Sequence, residues 1–196
     1  NVPMDSDLNI TDDTRIRATL PTINKIISSG GSVVLMSHRG RPKGLDDSLS
    51  MRHLVARLCD LLSQDVKFIN HCVGDKAIKT SKSLKSGEVL LVENLRFHDE
   101  ETAGDIDFAK QLSELGDVYV NDAFGTAHRA HASTAIIAQF FKQNKCFGYV
   151  MDNEIENIDK VLGGAKKPFT AIMGGAKVSS KIPIILRMLE EVDNLI

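Results

Sequence analysis

Gly31-Ser32-Val33-Val34-Leu35-Met36-Ser37-His38-Arg39-Gly40-Arg41-Pro42 is a β-branched apolar run that stops at a turn rich in glycine and arginine. An apolar run without alternation, bounded by turn residues, suits a strand buried on both faces, the condition of strands in parallel sheets. A strand is therefore expected over residues 31–37. The same theme recurs along the chain. Residues 66–70, 88–93, 117–121 and 146–150 read as further strands. Residues 50–62 read as a helix, with Leu54, Leu58 and Leu61 on one face, and residues 106–115 as another. Alternation of this kind predicts an α/β fold, a doubly wound, Rossmann-like parallel sheet. Thr11-Asp12-Asp13 opens an earlier helix, where acidic residues suit the positive N-terminal end, and Pro21 predicts a kink or break in it.

After the strand series, residues 152–162 form a charged helical segment that Gly163-Gly164 is expected to end. Beyond Pro168 the pattern restarts, with a strand over 169–173, a turn at Gly174-Gly175 and a helix over 177–191. One strand and one helix cannot cover both faces of a sheet, so this last unit is expected to begin a second domain that continues elsewhere. The expected organisation is an N-terminal domain over 1–151, an interdomain hinge helix and linker over 152–167, and the start of a C-terminal domain over 168–196. The first residues, Asn1-Val2-Pro3, lack an initiator methionine, so the numbering is expected to begin inside a longer chain.

The 196 residues are 42% hydrophobic and 26% charged, the balance of an ordinary globular protein rather than a disordered one. A net charge of -2 argues against a nucleic-acid partner, which usually shows as a basic domain. Cys59, Cys72 and Cys146 are odd in number and form no Cys-x-x-Cys pair, so a reducing, cytoplasmic setting is expected. No apolar stretch reaches the ~18 residues of a membrane span.

Against this mildly acidic background, Arg15, His38, Arg41, Arg96 and Arg129 each stand beside an expected strand end or helix start. In an open parallel sheet the residues past the strand ends converge on one crevice, and basic side chains gathered there suit a small polyanion. Met173-Gly174-Gly175-Ala176-Lys177-Val178-Ser179-Ser180-Lys181 adds paired glycines and two lysines one helical turn apart, a candidate phosphate site at a helix start. It departs from the P-loop pattern, and solvated lysines at a strand-to-helix turn are an equal reading of it alone. Arg39 is assigned to solvated surface. Arg96 has internal pairing with a nearby carboxylate as its bland alternative. The three-residue spacing of His128 and His131 resembles a ligand pair, but without a third ligand at a recognisable spacing they read as hydrogen-bonded loop histidines, and no metal site is expected. No nucleophile elbow or His-Glu-x-x-His motif is present. Phosphoryl transfer between groups already ionised needs neither, because positioning and charge stabilisation suffice.

Six blocks, residues 1–3, 10–17, 37–42, 93–97, 121–131 and 174–181, occur in the order found in phosphoglycerate kinases, which the chain resembles over almost its whole length. The resemblance implies two doubly wound domains joined by a hinge, with the acid substrate on the N-terminal domain and magnesium nucleotide on the C-terminal one. It implies that Arg41, Arg96 and Arg129 hold the 3-phosphate of 3-phosphoglycerate or 1,3-bisphosphoglycerate, and that His38 and Asn1 orient its other end. Arg15 would face the transferring phosphoryl group together with Lys177. Lys181, Gly174 and Gly175 would meet the phosphates of ADP or ATP, whose magnesium is held through the nucleotide and the remaining domain. A monomer without nucleic-acid or membrane partners is implied, and the span by itself is expected to be inactive. The family's Arg-Val-Asp-x run, with its substrate-binding Asp, would precede Asn1, while Arg39 and Asn153 stand where an apolar and a basic residue are usual. Two other readings are a non-catalytic anion-binding module on the same scaffold, and a mutase or isomerase, for which His38 alone offers acid/base chemistry.

Overall fold

A computed structural model describes residues 2–162, 166–174 and 182–196. Backbone contacts group the chain into two compact units, Asn1–Met151 and Asp152–Ile196.

In the first unit, β1 (Val33–Leu35), β2 (Val66–Ile69) and β3 (Val89–Val92) form a parallel sheet in the order β1-β3-β2. Val89 pairs with both Val33 and Val66, so β3 is the central strand, and all four of its residues are buried. Its side chains alternate between two cores, as the strand period of two requires. Val89 and Leu91 join Val33, Val66, Ile16, Ile23, Leu54 and Leu58, contributed in part by α1 (Thr14–Ser28) and α2 (Val55–Leu62). Leu90 and Val92 join Ile69 of β2, Ala77 of α3 (Asp75–Lys82), and Phe108 and Leu112 of α5 (Ile106–Ser113). Helices on both faces of a parallel sheet are the doubly wound arrangement the sequence predicts. A short helix, α4 (Asp99–Ala103), follows the loop after β3. β4 (Tyr119–Asn121) and β5 (Lys145–Phe147) make a separate parallel pair.

The differences from the sequence reading have local causes. The helix expected over 50–62 opens as a 3₁₀ turn, Met51–Leu54, because the Ser50 hydroxyl and Met51 N–H are both drawn to the Glu93 carboxylate, each at 2.8 Å. α1 runs through Pro21 without a break, held by burial of Ile16, Thr22 and Ile23 on one face. That packing offsets the one backbone hydrogen bond that proline removes. The segment expected as a strand over 146–150 is a strand only to Phe147, and α6 (Tyr149–Leu162) starts within it. Its first amides find acceptors far away in sequence: Tyr149 N–H donates to Thr22 Oγ1 at 2.9 Å, and Val150 N–H to Asp122 Oδ1 at 2.8 Å. A cap supplied from elsewhere in the fold leaves no trace beside the helix it starts.

The second unit holds α7 (Ile182–Met188) and a parallel pair, β6 (Thr170–Ala171) with β7 (Asn194–Leu195). Asp193 ties it together, accepting from Phe169 N–H at 2.6 Å and Lys167 Nζ at 3.1 Å. Gly163 and Gly164, expected to end the helix before it, lie outside the described residues. Among the described residues no helix is long and apolar enough to cross a membrane.

Candidate anion-binding site

The loops that follow β1, β3 and β4 carry His38 to Arg41, Glu93 to Phe97, and Asp122 onward. Two buried side chains past the end of β3 fix the first loop against the second. Asn94, fully buried, accepts from Arg39 N–H at 3.2 Å and Arg96 N–H at 3.1 Å, and donates to the Arg39 and Leu49 carbonyls at 2.8 and 2.9 Å. Glu93, also buried, accepts from Ser50 Oγ, Met51 N–H and Asn94 N–H, all at 2.8 Å. Cys72 Sγ donates to its carbonyl at 3.0 Å, and burial pushes that thiol's pKa up. Gly40 sits at φ +66°, where a Cβ would come within 2.9 Å of Leu49 Cδ2.

A third buried polar group fixes the loop after β4. Glu101, in α4, accepts from Ser133 N–H at 3.0 Å and Ser133 Oγ at 2.6 Å, and its carbonyl takes Ala132 N–H at 2.9 Å. From below, Tyr119 Oη donates to the Ser133 carbonyl at 2.9 Å and Asn121 Nδ2 to the Thr134 carbonyl at 3.2 Å. Gly104, at φ +69°, ends α4 against the same loop, and a Cβ there would meet the Ala130 carbonyl oxygen at 2.3 Å.

These supports hold cationic side chains near one another. Arg96 Nη1 donates to the Gly40 carbonyl at 2.8 Å, while its Nε is buried without a hydrogen-bond partner. Burial lowers the Arg96 pKa, and the charges of Arg129 and Arg41 lower it further against an opposing contribution from Glu101. Burial lowers His38 to about 4, reinforced by Arg96, His131 and Arg129. His131, 8% exposed, is likewise lowered by burial and by Arg96, Arg129 and His128, with Glu101 opposing from 3.8 Å. His38, Arg41, Arg96 and Arg129 are thus brought within electrostatic reach of one another, and His131, read from sequence as a loop histidine, joins them. Repulsion among these groups is what a bound polyanion would relieve.

The bland reading of Arg96 fails at one point: the carboxylate next to it in sequence, Glu93, is committed to Ser50, Met51 and Asn94. Arg39 is a correction. It is buried rather than solvated, and its guanidinium donates to the Ser48 carbonyl, so it braces the loop from inside. Arg15 lies exposed in the first turn of α1, its charge acting on Asp12. Gly174 follows β6 in open surroundings, where a Cβ would meet nothing within 4 Å. Asn1, Gly175, Lys177 and Lys181 lie outside the described residues. Among the described residues, no group of three His, Cys, Asp or Glu side chains could hold a metal ion. A cavity of about 610 Å³ lies apart from the basic cluster, against residues 8–13 and α2, and its Asp13 is paired with Arg17 at 2.9 Å and Arg57 at 2.5 Å.

Glu93, Asn94 and Glu101 are the supporting residues that sequence reasoning passed over. The signal available was the placement of Glu93-Asn94 directly after a run too apolar to end in solvent.

The phosphoglycerate kinase family model matches residues 1–196. The chain belongs to the phosphoglycerate kinase family. The phosphoglycerate kinase of Porphyromonas gingivalis is 48% identical over 220 aligned residues, which cover 100% of this chain and 53% of that protein. The enzyme of Anaeromyxobacter sp. strain K is 51% identical over 98% of this chain and 49% of its own length. Among solved structures, phosphoglycerate kinase from Pyrococcus horikoshii superposes with a TM-score of 0.86 at 35% identity, covering 100% of this chain and 49% of that one. The chain therefore spans about half the length of the curated relatives it matches. Family membership does not favour the non-catalytic module.

Proposed function

We propose that the intact protein is a phosphoglycerate kinase, transferring a phosphoryl group reversibly between 1,3-bisphosphoglycerate and ADP to give 3-phosphoglycerate and ATP, and that this chain carries its acid-substrate side. The observation that carries the reading is Arg96, its Nε buried without a partner among the charges of Arg41 and Arg129. In this reading residues 1–151 are the substrate domain, 152–167 the hinge helix and linker, and 168–196 the start of the nucleotide domain.

Arg41, Arg96 and Arg129 hold the 3-phosphate, where planar guanidinium forks match phosphate oxygens. His38 and Asn1 orient the carboxyl end. Arg15 and Lys177 face the phosphoryl group in transit, whose charge spreads over its equatorial oxygens and is stabilised by cations placed in advance. Gly174, Gly175 and Lys181 meet the phosphates of Mg-ADP or Mg-ATP. Magnesium, carried on the nucleotide, supplies charge neutralisation there. The reading carries with it a monomeric cytoplasmic enzyme without nucleic-acid or membrane partners; one relative, 50% identical, is the cytosolic phosphoglycerate kinase 3 of Arabidopsis thaliana.

A coupled assay of the intact protein with 3-phosphoglycerate and Mg-ATP tests this. Turnover that depends on both substrates is expected, and turnover of neither would overturn it.

A further inference from the structure

Glu101 stands out as a buried carboxylate that the reaction does not use. It is 2% exposed, and both of its carboxylate oxygens are engaged by one residue, Ser133, through the N–H at 3.0 Å and the hydroxyl at 2.6 Å. Its carbonyl takes the preceding amide, Ala132 N–H, at 2.9 Å. Removing a carboxylate from water is costly unless strong donors replace the solvent, and here the Ser133 amide and hydroxyl are those donors.

What it fixes is the segment that carries Arg129 and His131. The Ser133 and Thr134 carbonyls are held from the other side by Tyr119 Oη, and the Thr134 hydroxyl donates to the Arg129 carbonyl at 3.3 Å. Glu101 itself begins only five residues after Arg96, in the helix that follows the Arg96 turn. One short stretch therefore carries an arginine of the cluster and a buried anchor on each side of it. Asn94 ties down the loop bearing Arg41 through the Arg39 backbone, and Glu101 ties down the loop bearing Arg129. The Glu101 charge also faces Arg96 and His131, where it opposes the repulsion of their cationic neighbours.

We propose that Glu101 is a positioning residue for the anion site: by gripping Ser133 it sets Arg129 and His131 against Arg96 at the spacing one phosphate requires. The proposal rests on the phosphoglycerate kinase reading above. It goes beyond that reading by assigning a role to a side chain that touches no substrate.

The test is steady-state kinetics on the intact protein carrying Ser133→Ala, Ser133→Thr, Glu101→Gln or Arg129→Ala, with thermal melts of each. Ser133→Ala removes the hydroxyl grip but leaves the carboxylate in place, and is expected to raise KM for 3-phosphoglycerate about tenfold, the scale of one lost hydrogen bond to a charged group. KM for Mg-ATP is expected to stay put. Ser133→Thr, which keeps the hydroxyl, is expected to restore the acid-substrate KM. Glu101→Gln keeps one acceptor oxygen and is expected to fall between parent and Ser133→Ala. An unchanged acid-substrate KM in Ser133→Ala and Glu101→Gln, with a raised one in Arg129→Ala, would overturn the role of Glu101 and leave the site standing. An unchanged KM in Arg129→Ala as well would overturn both. Equal rises for acid and nucleotide that track the melting temperature would show a merely structural residue and also overturn the proposal.

Discussion

Thr22 Oγ1 donates a 2.7 Å hydrogen bond to Asp122 Oδ2, joining the middle of α1 to the residue that follows β4. The same two side chains receive the first amides of α6, Tyr149 at Thr22 and Val150 and Met151 at Asp122. Asp122 is therefore a cap provided by tertiary structure, and Asp122→Ala is expected to cost about 1–2 kcal/mol, the range for a lost N-cap. Gly148→Ala should cost a similar amount, because its Cβ would stand 2.3 Å from Asp122 Cγ and push the cap aside. Urea unfolding of both single variants and the double checks this. The double variant should lose far less than the sum, since both act on one carboxylate.

His38 gives the site a pH signature. Its pKa, lowered from 6.5 to about 4 first by burial and then by neighbouring cations, means that the unfolded chain binds a proton there before the folded one does. Its contribution to stability is therefore fully present above pH 6.5 and is lost as pH falls from 6.5 towards 4. A bound anion reverses part of the electrostatic cause. Carbon-detected titration of the His38 ring is expected to show its pKa rising on addition of sulfate, which does not itself titrate in this range. A pKa unmoved by saturating sulfate would place the anion away from His38.

Arg41→Ala is expected to raise KM for 3-phosphoglycerate while leaving kcat and the nucleotide KM close to the parent. A clamp on the phosphate remote from the reacting atom contributes mostly uniform binding. Collapse of nucleotide affinity with retained acid-substrate affinity would move Arg41 to the other side of the reaction.

Lys177 carries the opposite expectation. A cation that meets the phosphoryl group chiefly in the transition state acts on kcat, so Lys177→Ala should lower it by roughly 10²- to 10³-fold with both substrates still bound. Lys177→Arg should recover only part, because a planar fork replaces a compact ammonium. Steady-state kinetics with equilibrium binding on the same samples measures the split.

What the sequence made legible follows from how local each cause is. The apolar runs of β1 and β3 announced a parallel sheet because burial on both faces writes itself directly into residue type. His38, Arg41 and Arg96 could be grouped because strand ends of such a sheet face one way, and Arg129 joins them from the loop after β4, in the separate pair. The start of α6, the 3₁₀ turn after Ser50 and the burial of Arg39 could not be read, since each depends on a partner far away in sequence: Asp122, Glu93 and Asn94, which joins the Arg39 backbone to the Leu49 carbonyl. Glu101 was illegible for the same reason. In sequence it is one of three acidic residues in α4, and only the fold separates it from its exposed neighbours Asp99 and Glu100.

In the proposed function, the phosphate of the acid substrate supplies the partner that the buried Arg96 Nε lacks. Calorimetric titration of 3-phosphoglycerate into the intact protein and its Arg96→Ala variant tests it most directly. Affinity weaker by on the order of 10²-fold is expected in the variant, the scale of truncating one partner of a desolvated charge contact, with Mg-ATP binding unchanged. Equal affinity for 3-phosphoglycerate in the two proteins would contradict it.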